Sequence, residues 1–342
     1  MKVIEPGFLT TVQDKGRFHY QKWGVPVAGA MDGYALQAAN FLVGNDGDEG
    51  CLEITLLGPA IEFLASGLVA LAGADLGAEL NGDACDPWKS FRVKKGDKLN
   101  FSGVRNGCRA YLAVAGGFRT PFIMGSMSTY LRGKIGGVEG RAVQKGDVLD
   151  VNPTEESTAT TEVPSEYRNE LEESVTVRVV LGPQEDAFTE KGKTTFLENR
   201  YTVTHESDRM GCRLEGPVIE HTDKPDIVSD GIAMGSVQVP GNGKPIIMMA
   251  DRQTVGGYAK IATVITPDLW KVAQAKPGDS IGFTGISLEA AQGEYKKYKE
   301  KIISLSDNLK EMQKVQCDFK ANKRVLHVKI NGEEFRVEME EL

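Results

Sequence analysis

Cysteine and histidine are scarce, and those present are badly spaced for metal or redox chemistry. The five cysteines, Cys51, Cys85, Cys108, Cys212 and Cys317, are odd in number and form no CxxC pair. Among the four histidines, His19, His205, His221 and His327, none stands at a helical i, i+4 interval from another. This argues against a metal site and a secreted disulfide framework, and fits a reducing compartment. Cations are in deficit, 40 Lys and Arg against 48 Asp and Glu for a net charge of −8. A nucleic-acid partner is therefore not expected, because a backbone binder needs clustered positive charge. No stretch reaches the ~18 apolar residues of a membrane span. The start, MKVIEPGFLTTVQDKGR, turns polar early and lacks a small-residue cleavage site, so a cytoplasmic chain without a signal peptide is expected. There is no Met-Lys-Met-type sequence for covalent biotin, no G-x-S-x-G elbow and no amidase-type serine–lysine arrangement. Unaided covalent amide hydrolysis thus lacks its nucleophile.

Glycine, by contrast, is abundant at 39 of 342 residues, and short apolar runs recur between turn signals. Leu52–Phe63, Leu68–Leu80, Ala110–Phe118 and Val175–Gly182 read as strands. One helix stands out in the first half, Met31–Asn45, with Asp32 to cap it and Gly44 to stop it. Three segments, KKGDKLNF (Lys94–Phe101), QKGDVLDV (Gln144–Val151) and KPGDSIGF (Lys276–Phe283), repeat a Gly-Asp turn before an alternating strand. Leu52–Phe63 is likewise echoed by Arg213–His221. Strands and turns at this density predict a mainly β, β-rich α+β protein of two related barrels rather than βαβ units. The boundaries fall at 1–151 for the first domain, 152–174 for an acidic, polar linker and 175–285 for the second domain. Residues 286–342 form an extension. There Leu288, Ala291, Tyr295, Tyr298, Ile302, Leu305, Leu309 and Met312 make a heptad seam on a long helix capped by Ser287. The seam suits packing along the chain's own barrel better than a coiled coil, although a homo-oligomer is left open. A hairpin with a type I′ turn at Asn331–Gly332 follows.

The densest polar cluster is Met249–Val264. It leaves an apolar strand, presents Asp251, Arg252, Gln253 and Thr254, turns at Gly256–Gly257 and continues to Tyr258 and Lys260. A carboxylate, a fixed cation, an amide and a hydroxyl at a strand end suit an anionic substrate. The same residues equally suit an Asp–Arg pair that braces a hairpin. Ser207–Pro217 adds Asp208 and Arg209, which alone would be a solvated turn. Cys212 reads as core filling. AFTEKGKT (Ala187–Thr194) matches a loose phosphate-loop pattern, but its acidic neighbours and the strand character expected after it mark a chance match.

Together TTVQDKGR (Thr10–Arg17), GVPVAGAMDGYALQAANFLVGN (Gly24–Asn45), LEITLLGPAIEF, ALAGADLGAELNG, YLAVAGGF, MGSMST (Met124–Thr129), LGPQEDAF, SDRMGCRLEGP and DRQTVGGYAKIATV occur in the order of one family. Over about Met1–Gly285 the chain resembles the biotin-dependent carboxyltransferase, or allophanate hydrolase subunit 2, family. That family includes the C component of ATP-dependent 5-oxoprolinase, an antagonist of a sensor-kinase inhibitor and part of urea carboxylase. Phe18-His19 departs from the family's usual Pro-Gly, and residues beyond Gly285 exceed its usual length. The resemblance implies cyclophilin-like β-barrels and two partners, a B-like protein of the same cyclophilin fold and an A-like protein. It also implies a reaction using ATP and Mg²⁺ at the level of the complex, which opens the lactam of 5-oxo-L-proline to L-glutamate. On that basis Asp251, Arg252, Gln253 and Thr254 are the expected catalytic residues. Tyr258, Lys260, Asp208 and Arg209, with Gln13 and Asp14 opposite, are expected to bind substrate. The alternatives are carboxyl transfer from a partner's biotin to a urea-like amide, and a non-catalytic regulator that binds a B-like sensor-kinase inhibitor.

Overall fold

The computed structural model describes residues 1–153, 160–321, 324–330 and 333–339. The first domain comprises β1 (Lys2–Glu5), β2 (Leu9–Gln13), α1 (Gly33–Leu42), β3 (Cys51–Thr55), β4 (Ala60–Glu62), β5 (Gly67–Asp75), β6 (Ala78–Leu80), β7 (Asp83–Ala84), β8 (Lys89–Val93), β9 (Lys98–Phe101) and β10 (Asn106–Val114). They form two five-stranded sheets, ordered β1-β4-β9-β6-β7 and β2-β3-β10-β5-β8. Strand β5 shows how the layers stack, because successive side chains point to opposite faces. Val69 and Leu71 enter the core between the sheets, while Leu68, Ala70 and Ala72 face α1. Asp32 caps α1 by accepting from the N–H groups of Tyr34 and Ala35, and Leu36, Ala39 and Leu42 are fully buried beneath it.

The second domain contains β11 (Ser174–Leu181), α2 (Glu190–Glu198), β12 (Arg200–Val203), β13 (Gly211–Glu215), β14 (Asp226–Gly231), β15 (Ser236–Gln238), β16 (Ile246–Met248), β17 (Val255–Tyr258), β18 (Lys260–Val264), α3 (Leu269–Gln274) and β19 (Ser280–Gly285). Seven strands close a barrel in the order β11-β18-β15-β16-β13-β12-β19, and β14 pairs with β17 outside it. Val175, Val177 and Val179 of β11 fill the barrel. The protein is mostly β, as expected, with closure complete in this domain.

The sequence repeat is a structural repeat. In each copy an Asp carboxylate accepts the N–H three residues earlier: Asp97 from Lys94, Asp147 from Gln144 and Asp279 from Lys276. Gly96, Gly146 and Gly278 take φ of +92°, +92° and +97°, a region that costs glycine little and other residues more. Each glycine N–H then donates to a main-chain carbonyl, that of Phe63, Val3 or Val203.

Three expectations need correction. Gly256–Gly257 do not turn the chain; they lie within β17, and the turn occupies residues before it. A Cβ on Gly256 would come within 2.6 Å of Ile232 Cδ1 and 2.8 Å of Gln238 Nε2, so a larger residue there would push those two side-chain ends aside. The phosphate-loop match enters a helix, α2, whose cap Thr189 accepts from Gly192 N–H; helical packing of Phe196 into the barrel prevails over the strand pattern. Part of the polar linker is not solvated, since Thr161 and Val163 are buried and Thr161 exchanges hydrogen bonds with Ser90.

After the barrel, α4 (Leu288–Ala321) crosses back to the first domain. Ser287 Oγ accepts from Ala290 N–H, and Ile302, Leu305 and Leu309 join α1 and Trp88 in one core. The seam therefore packs on its own chain: its first turns lie beside the second barrel, where Arg178 of β11 pairs with Glu294, and its later turns lie on the first domain's helix. Strands β20 (Arg324–Ile330) and β21 (Glu333–Met339) pair antiparallel; the expected turn at Asn331–Gly332 lies outside the described residues. Among the described residues no helix is long and apolar enough to cross a membrane.

Candidate functional site

The domain junction is built around Arg209, expected to bind substrate but here committed to two carboxylates, Glu53 and Asp251. Its guanidinium is 4% exposed. Nη2 and Nε donate to Asp251 at 2.9 and 3.2 Å, Nη2 also donates to Gly29 O at 2.6 Å, and Nη1 pairs with Glu53. Burial opposes its charge, but Asp251 and Glu53 outweigh that and hold its pKa above the ordinary value. Asp251 N–H in turn donates to Arg209 O at 2.8 Å. Asp251, at the turn after β16, is thus tied to Arg209 and not to Arg252 as its neighbour in sequence suggested.

The network extends through the first domain. Glu53 Oε2 accepts from Met31 N–H at 2.8 Å and from the Tyr111 hydroxyl at 2.7 Å, and that hydroxyl accepts from Asp32 N–H. Asp32 also accepts from Gln274 Nε2 at 2.9 Å, and Gln274 Oε1 accepts from the N–H groups of Cys108 and Arg109. A carboxylate–guanidinium–carboxylate chain with its remaining valences filled is the form in which buried charges persist.

Three further buried guanidiniums have no carboxylate bonded to them among the described residues: Arg109, which donates to Ala273 O and Cys108 Sγ, Arg252 and Arg17. Arg252 is 9% exposed and, among the described residues, donates only to main-chain carbonyls, Nε to Ile232 at 3.0 Å and Nη1 to Met249 at 3.2 Å. Burial lowers its pKa to about 10. Arg17 is fully enclosed, with Nε on Ile123 O and Nη2 on Ser128 O, while Nη1 has no partner among the described residues. Burial lowers its pKa, and the charges of Asp14 and Asp251 oppose that, which puts Arg17 within electrostatic reach of the junction. A buried cation short of an anion is what an anion-receiving site requires before its ligand arrives.

The other expected residues divide. Asp14 is consumed by structure, accepting from Gly16 N–H, Ser126 Oγ and Met127 N–H at 2.8, 2.7 and 2.6 Å and from Ser128 Oγ. Gln13 donates to Thr11 and Thr129, and its buried Oε1 has no partner among the described residues. The Lys260 ammonium, expected to meet substrate, is committed to Asp230 at 2.7 Å and Gly231 O at 2.8 Å; it braces β14. Asp208 points outward and closes its own turn on Met210 and Gly211 N–H. Gln253 and Tyr258 are exposed and Thr254 half-buried. Cys212 is buried, and burial pushes its thiol up to about 12, as core filling predicts.

Sequence reasoning passed over Glu53, Arg17, Tyr111 and Gln274, and read Asp32 as a helix cap, which it is, without its link to Gln274. Two of the four carried a signal. Glu53 is the one charge in a strand whose five residues are all buried, and Arg17 closes the quoted TTVQDKGR segment. The departure at Phe18-His19 is also visible, since His19 adopts φ +74° where glycine would be unstrained.

Residues 23–285 match the family model described as carboxyltransferase domain, subdomain A and B. The chain is 39% identical over 293 residues to the C component of Escherichia coli 5-oxoprolinase, covering 85% of this chain and 93% of that protein. It is 33% identical over 310 residues to Saccharomyces cerevisiae urea amidolyase, covering 85% of this chain but 17% of that one. The crystal structure of the K. lactis urea amidolyase superimposes with a TM-score of 0.82 at 32% identity, over 89% of this chain and 20% of that one.

Proposed function

The chain belongs to the carboxyltransferase family, subdomains A and B, and from that premise we propose that it is the C component of an ATP-dependent 5-oxoprolinase. The supporting observation is the near-complete span shared with the E. coli protein of that name. The reaction opens the lactam of 5-oxo-L-proline to L-glutamate. A lactam carbonyl is a poor electrophile, and phosphorylation of its oxygen makes the carbon open to water. The substrate also carries one carboxylate, so its site needs a cation with free N–H groups. Arg252 is suited to hold that carboxylate. Gln253 and Thr254 would orient the amide. Asp251, through Arg209, positions the turn that presents them.

The residues described do not fit a nucleotide–metal site. Among them no three His, Cys, Asp or Glu side chains are grouped to hold a metal ion, and the Gly192 N–H of the phosphate-loop match is taken by Thr189. On this reading ATP and Mg²⁺ enter at the level of an assembly with B-like and A-like proteins, and no step through them is assigned to this chain.

The test is ATP hydrolysis by the chain co-expressed with those two partners, with and without 5-oxoproline. Stimulation by 5-oxoproline that also requires this chain is expected, and its absence from a well-formed complex would overturn the proposal. Arg252→Ala should raise the KM for 5-oxoproline about tenfold or more, equivalent to ~1.4 kcal/mol. A change of less than a few-fold would remove Arg252 from the site. The second reading, carboxyl transfer from a partner's biotin to a urea-like amide, draws support from the urea amidolyase superposition. It requires activity dependent on bicarbonate and a biotinylated partner.

A further inference from the structure

The seam of α4 is only partly covered by its own chain. Its later residues, Ile302, Leu305 and Leu309, are buried. On the same stripe, seven residues apart, Leu288 and Tyr295 remain 56% and 45% exposed. They are the open part of the stripe. With Ala291 they form one wall of a groove of about 690 Å³ whose other wall is the rim of the barrel, including Leu181, Met234, Ile265 and Pro267. That size lies within the usual range of small-molecule sites, roughly 300–1,000 Å³. The barrel wall falls inside the family match, which ends at residue 285, whereas the helix wall lies beyond it. The groove is thus created by the extension and is separate from the Arg209–Asp251 junction.

We propose that this groove binds an amphiphilic carboxylate, an apolar chain or ring system ending in one carboxylate group. The apolar lining sets the body of the ligand, and charge sets its head. No Asp or Glu lines the groove, and the one cation that does, Lys296, makes no ion pair among the described residues. Gln292, Thr263 and Thr266 add polar groups able to meet the carboxylate. The helix wall is held in place beside it, because Arg178 joins Glu294 of α4 to Asp268 of the barrel, both at 2.7 Å. A protein partner fits less well, since the helix wall is only about two and a half turns, roughly 12 Å. A stable interface buries on the order of 1,200–2,000 Å².

The experiment is calorimetric titration of the full chain with decanoate, with decylammonium and hexanoate as the charge-reversed and shortened probes. Saturable one-to-one binding of decanoate is expected, at least about tenfold tighter than either control. Lys296→Glu should weaken decanoate about tenfold or more while leaving decanol binding within about twofold. Leu288→Ser should weaken both. Both side chains are exposed, so neither variant endangers folding, and an unchanged melting curve will verify this. Absence of saturable decanoate binding, equal binding of decylammonium, or wild-type affinity in both variants would each overturn the proposal.

Discussion

At the scale of single residues, the junction shows how position inverts the meaning of a side chain. Asp208 and Arg209 are adjacent in sequence, yet one closes an exposed turn and the other is buried between two carboxylates. Removing the cation would leave Glu53 and Asp251 enclosed without compensation. Arg209→Met should therefore cost about 3–5 kcal/mol, the range for breaking a buried pair, measured by urea unfolding. Glu53 could be suspected from sequence as a lone charge in an apolar strand, but its partner lies 156 residues away. No local pattern connects them.

At the scale of elements, the Gly-Asp turns were fully legible because everything they need is local: a glycine for positive φ and a carboxylate three residues from the N–H it accepts. The copy at Asp147 adds a bidentate pair with Arg141, at 2.7 and 3.0 Å. Hydrogen bonding from Arg141 holds the Asp147 carboxyl below the ordinary carboxylate value. A depressed folded pKa means the stabilisation is present above the unfolded value of about 3.9. It is lost as pH falls through the folded pKa. Asp147→Asn should cost about 1–2 kcal/mol at pH 7, and less at pH 2–3, as read from paired thermal melts. Helix α2 was less legible, because its nine residues carry β-branched Thr194 and Thr195 and are held by the burial of Phe196.

At the scale of the whole molecule, α4 follows the second domain in the chain but covers the first. Truncation after Gly285 would uncover α1 and Trp88 by removing Ile302, Leu305 and Leu309. At about 1.5–3 kcal/mol per buried side chain, the loss is on the order of 5 kcal/mol. The first domain of the truncated chain should melt ahead of the barrel, and calorimetry should resolve two transitions. A barrel that melts first instead would mean that α4 supports its sequence neighbour.

The sequence by itself determined the β-rich class, the repeated turns, helix α1 with its cap and the long C-terminal helix, because each follows from contacts within a few residues. Its ordered motifs also carried the family. Tertiary structure alone decided that Lys260 is a brace, that Arg252 and Arg17 are cations without a bonded carboxylate, and that Asp251 belongs to Arg209. Those outcomes depend on which groups meet across domains and how much water is excluded there, and neither is encoded in residue spacing.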